Sequence, residues 1–145
     1  MSKQKLYKAL AYAGAIPFVV CAVAALAGVS VPGPAESLER LAASYGLTIV
    51  SFMAGVLWGV HLTSDDAATG HLFVASNAVA LVAWAAFLAG PPKLALGVMA
   101  VLFLYLLYVD YALCRSGVLT EHYLALRRNI TAIVILSLTA LVLAP

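Results

Sequence analysis

The chain has few side chains that could do chemistry, and their positions narrow what that chemistry could be. Asp110 is the most telling, because it stands close to the end of a long apolar run. There an unpaired carboxylate costs about 2.5–3.5 kcal/mol at the bilayer centre and less toward its edge. It needs a partner or a proton. Arg127 and Arg128, which follow across one connection, would supply an ion pair, and the same group could serve a proton or a ligand. His61 and His71 flank a segment holding Asp65 and Asp66, a sparse set for a metal or a haem; no HExxH accompanies them. Tyr105, Tyr108 and Tyr111 recur at every third position. The last two fit an aromatic belt at the membrane interface, while Tyr105 is expected to hydrogen-bond within the bundle; together they could form a stacking platform for a quinone. Asn77 and Trp84 lie seven apart on one helical face, and both seek hydrogen-bond partners in lipid. Thr48, Ser51, Trp58, Asn77, Tyr105, Asp110, Arg127 and Arg128 are the ligand or pathway candidates, and the ionisable groups are expected to gather in a polar pocket open to the cytoplasm and floored by Ser51, Trp58 and Asn77. No nucleophile arrangement, phosphate loop or basic nucleic-acid patch is present, so no catalytic residue is assigned. No cofactor is predicted, haem and quinone remaining as alternatives.

The elements that must position these groups follow from composition. Of 145 residues 65% are hydrophobic and 10% charged, with a mean hydropathy of +1.06. A soluble domain carries about 25% charged residues. The chain is therefore an integral membrane protein, whose partners begin with the lipid bilayer. Spans of about 20 residues leave room for five. The expected fold is all-α: a single bundle of five transmembrane helices near residues 9–29, 41–62, 71–89, 93–114 and 129–143. The breaks are the Pro/Gly segment at residues 30–40, the polar segment at 63–70, Gly90-Pro91-Pro92, and residues 115–128, whose second half is expected to lie at the interface. The first apolar run exceeds the 7–15 residues of a secretory signal core, so it is read as a span. Pro17 should kink it near residues 13–17. Cys21 and Cys114 fall on different helices as inert thiols.

Charge sets the orientation. Lys3, Lys5, Lys8, Arg115, Arg127 and Arg128 fall on one side and only Arg40 and Lys93 on the other, which predicts a cytoplasmic N-terminus and an outer C-terminus. Within the second helix Ser44, Thr48, Ser51, Gly55 and Gly59 recur at spacings of three and four on one face. Without a hydrophobic drive in lipid, helices approach through such small residues. Ser44, Gly55 and Gly59 are therefore taken as helix-packing positions and this helix as the centre of the bundle.

Gly14-Ala-Ile-Pro-Phe18, Tyr45-Gly46, the run Ser51-Phe-Met-Ala-Gly-Val-Leu-Trp-Gly59, Ala83-Trp84 and Tyr123-Leu-Ala-Leu-Arg127 resemble the family known as domain of unknown function 3429. These are small inner-membrane proteins of the transmembrane protein 69-like kind. The resemblance spans most of the chain. It implies a helical bundle in the bacterial cytoplasmic membrane, with a proline where this chain has Asn77, and it brings no activity. The expected role is that of a non-enzymatic accessory bundle that binds a membrane-protein partner or a second copy of itself. The alternatives are an oligomeric channel or transporter for a small solute or ion, lined by Thr48, Ser51 and Asn77 and gated near Asp110, and a haem- or quinone-binding redox protein.

Overall fold

Backbone amides in hydrocarbon have no water to bond, so each apolar run satisfies its hydrogen bonds internally as a helix. In the computed structural model, which describes residues 3–29, 37–63 and 71–144, these runs become six helices. They are α1 (Lys3–Ala13), α2 (Ile16–Leu26), α3 (Leu38–Thr63), α4 (His71–Ala89), α5 (Pro92–Arg115) and α6 (Glu121–Leu143). No strand occurs among the described residues. Taken together, α1 and α2 form the first of five segments long and apolar enough to cross a membrane. The chain is a multi-pass helical bundle.

The first span breaks at Gly14-Ala15, as Pro17 predicts, and Pro17 itself sits in the first turn of α2. The break leaves carbonyls without a helical amide, and that of Gly14 accepts a hydrogen bond from the Tyr45 hydroxyl at 3.0 Å. Helix ends are also locally encoded. Ser37 Oγ accepts from the Arg40 amide and Thr120 Oγ1 from the Tyr123 amide, capping α3 and α6. Gly28 and Gly117 take left-handed φ values of 71° and 81° just beyond α2 and α5. The amides of Val29 and Val118 can then turn back to the carbonyls of Ala24 and Leu113.

The last span is longer than its apolar core suggests. Residues 121–128, expected as a separate interfacial turn, are the first two turns of α6, and only residues 116–120 connect α5 to it. The Thr120 cap starts the helix early, and nothing up to Asn129 breaks it. Opposite ends of the bundle are marked by cations. At one end Arg40 lies over the Phe87 ring, 5.6 Å from its centroid, and Lys93 donates to the Ala144 carbonyl at 2.6 Å. The other end holds the termini of α5 and α6 that carry Arg115 and Arg128.

α3 packs against α2, α4 and α5 and reaches α6, and α6 likewise meets four helices, α1, α2, α3 and α5. The phase of its packing face differs from the expected one. Ala42, Ala43, Gly46, Val50, Ala54 and Leu57 are buried, whereas Ser44, Thr48, Gly55 and Gly59 are exposed and Ser51 is intermediate. Gly46 shows why the inner set wins: a Cβ there would lie 2.6 Å from Met99 Sδ and 3.5 Å from Phe18. Phe18, at 0% exposure, also meets the rings of Tyr45 and Phe103 at 5.1 and 5.9 Å between centroids. Around this contact the core extends through Val50, Leu72, Leu96, Leu106, Leu138 and Leu141.

Candidate functional site

Asp110 lies five residues before the end of α5 and Arg127 six residues into α6, so each sits roughly 8–9 Å inside its helix end at 1.5 Å per residue. The short α5–α6 connection brings them to one depth, where Arg127 Nε donates to Asp110 Oδ2 at 2.7 Å. Both are buried, at 7% and 5% exposure. Of the two arginines it is Arg127 that pairs with Asp110, while Arg128 is exposed. The pair is single-pronged. Arg127 Nη1 reaches only the Met53 sulfur, at 3.6 Å, and Nη2 is buried without a partner.

One turn further along α6, Thr131 Oγ1 is likewise buried and unpartnered. This is unusual for the molecule. The hydroxyls of Thr48, Thr63 and Ser137 each donate to the carbonyl one turn back, the common resting place for such a group in a helix. Arg127 and Thr131 both line a cavity of about 290 Å³ bounded by α1, α2, α3, α5 and α6. Its walls are otherwise mainly apolar and aromatic, with Phe18, Phe52, Phe103 and Tyr123 among them.

The remaining candidates do not join this pair. Trp58 and Asn77 do meet, across a shallow outward groove between α3 and α4 that is also lined by Phe73. There the Trp58 and Phe73 rings are edge to face at 4.6 Å, and His61 approaches Phe73 at 4.1 Å. Asn77 is exposed and donates to the Phe73 carbonyl of its own helix at 2.8 Å, so within the chain it does not tie helices together. Trp84, seven residues on, is exposed too. Thr48 is turned outward while Asp110 is turned inward, and among the described residues the expected single pocket is not formed.

Tyr105 also faces outward rather than into the bundle, as do Tyr108 and Tyr111. The last two border an open groove between α5 and α6 with Glu121, His122 and Arg128. His71 is exposed; Asp65 and Asp66 lie outside the described residues, among which no three histidine, cysteine or acidic side chains gather. Cys21 and Cys114 are free thiols of intermediate burial.

Sequence reading alone passed over Met53, Thr131 and Tyr45. Thr131 was findable, since a hydroxyl four residues after Arg127 shares its helical face. Tyr45 carried a signal as well: a phenol in an apolar run requires an acceptor, and the Gly-x-x-Pro break supplies one. Set against known proteins, residues 3–143 match the model of the family described as "Protein of unknown function (DUF3429)". No curated protein and no solved structure matches the chain.

Proposed function

The chain belongs to the DUF3429 family, and from that premise we propose that it is a non-enzymatic accessory bundle whose outward face on α3 receives a transmembrane helix of a partner subunit or of a second copy. The observation that carries this reading is the orientation of the small residues. Gly55 and Gly59 are turned away from the chain's own core, with nothing within 4 Å of where a Cβ would stand. Small residues let helix backbones approach in lipid, so this is where a further helix would fit most closely. Asn77 and Trp58, in the neighbouring groove, add hydrogen-bonding groups that a partner could satisfy.

In this reading the membrane is the bacterial cytoplasmic membrane, with the N-terminus inside, since the cations concentrate at the end that bears Lys5, Lys8, Arg115 and Arg128. A solute path along Thr48 and Asn77 would have to form between copies, because both face outward; transport is thus a special case of self-association.

Native mass spectrometry of the full chain, released from membranes under mild conditions, tests the proposal. A discrete added subunit or a defined homo-oligomer is expected, and it should dissociate in the Gly55→Leu/Gly59→Leu double variant. Wild-type protein found only as a monomer overturns the proposal, as does an assembly that the double variant leaves intact.

A further inference from the structure

The cavity beside the ion pair asks a question separate from that of the α3 outer face, although its rim residue Phe52 stands on that face. Among the polar residues that line it, two hold a buried donor without an acceptor: Arg127 at Nη2 and Thr131 at Oγ1. A buried donor left unmade carries a desolvation cost of about 1–3 kcal/mol, more for a charged group. Both belong to residues that line this one cavity, on neighbouring turns of α6, and together they call for an acceptor atom. The Asp110 carboxylate already balances the guanidinium charge, so the acceptor that fits is a neutral oxygen rather than a second anion. The walls describe the body that carries this oxygen. Tyr7, Phe18, Phe52, Phe103 and Tyr123 supply aromatic surface on several sides, which suits a flat ring by stacked and edge contacts. At about 290 Å³ the cavity is close to the smallest ligand sites, enough for a ring and too small for a long chain.

A tail has a route out. α1 rests against α6, and the rim residues Leu10 and Phe52 are 63% and 68% exposed, so the cavity opens sideways toward the lipid between α1 and α3. The stretches that carry the family resemblance supply much of the lining: Gly14 and Phe18, Phe52 and Met53, Tyr123 and Arg127. Tyr105, Tyr108 and Tyr111 by contrast present no enclosed ring site, since all three face outward.

We propose that this cavity binds the head of a membrane-soluble carbonyl compound of the isoprenoid-quinone class. One ring carbonyl accepts from Arg127 and Thr131, the ring lies among the aromatic side chains, and the tail leaves between α1 and α3. The full chain in mild detergent, titrated with decylubiquinone, supplies the test through bound quinone and melting temperature. Expected is saturable binding of one quinone per chain with a rise in melting temperature that follows occupancy. Thr131→Val, which keeps the shape and removes the hydroxyl, should weaken binding roughly 2- to 12-fold, the worth of one hydrogen bond, while the unliganded variant melts no lower than wild type. Ala11→Phe, which fills the cavity from α1, should abolish binding. Uptake that stays proportional to added quinone without saturating overturns the proposal. So does equal affinity in wild type, Thr131→Val and Ala11→Phe, or a site that retains only phosphatidylglycerol and takes no quinone.

Discussion

The two faces of α3 are built from the same kinds of residue and do opposite things. On the inner face Gly46 is small because neighbours fill the space, the Met99 sulfur and the Phe18 ring occupying what a larger residue would need, and Ala42 and Ala54 are buried on the same side of the helix. On the outer face Gly55 and Gly59 are small with none of the described residues against them. Small size is thus enforced by internal packing on one side and left unexplained by it on the other. The polar groups divide likewise. Inside, Arg127 and Asp110 depend on each other across two helices; outside, Thr48 and Asn77 bond to carbonyls of their own helices.

That contrast can be broken by substitution. The largest effect belongs to the inner side: Arg127→Met leaves the buried Asp110 carboxylate alone and should destabilise the fold by about 3–5 kcal/mol. Adding Asp110→Leu should recover most of the loss, as read by thermal unfolding in detergent. Next comes Gly46→Leu, which overfills the contact with Met99 and should cost about 1–3 kcal/mol. Tyr45→Phe removes only the hydrogen bond to the Gly14 carbonyl and should lower stability by about 0.5–1.5 kcal/mol. The smallest change is on the outer side, where Gly55→Leu/Gly59→Leu should leave the isolated chain within about 0.5 kcal/mol of wild type. A loss there comparable to that of Gly46→Leu would show that the two faces are not distinct.

What could be read from the sequence divides along physical lines. Span number, the break before Pro17 and the pairing of Asp110 with one of Arg127 and Arg128 follow from local rules: apolar length, a missing amide, and a charge that lipid will not tolerate alone. The phase of α3 does not. A period near 3.6 is shared by Ser44, Thr48, Gly55, Gly59 and by Ala42, Gly46, Val50, Ala54, which differ by two residues, about 200° around the helix. Choosing between them needs the partner side chains, and Met99 lies more than fifty residues away in sequence. For the same reason the tyrosines of α5 fell on the outside: the buried face of that helix is chosen by Leu96, Met99, Phe103 and Leu106, which pack into the core, and Tyr105 is on the other side. The start of α6 was obscured because charged residues within a span look like a boundary until one of them is seen to be paired.

The ion pair also bears on how the protein enters the membrane. Inserted singly, α5 would bring an aspartate and α6 an arginine into the hydrocarbon, each a penalty of up to a few kcal/mol. Joined, the two buried charges cancel each other, and the seventeen residues from Asp110 to Arg127 are synthesised in about 1–3 s at 5–20 residues per second. The carboxylate therefore waits only that long for its counterion. Pairing thus favours entry of α5 and α6 together over entry one at a time, since the base that neutralises the acid follows it closely in synthesis.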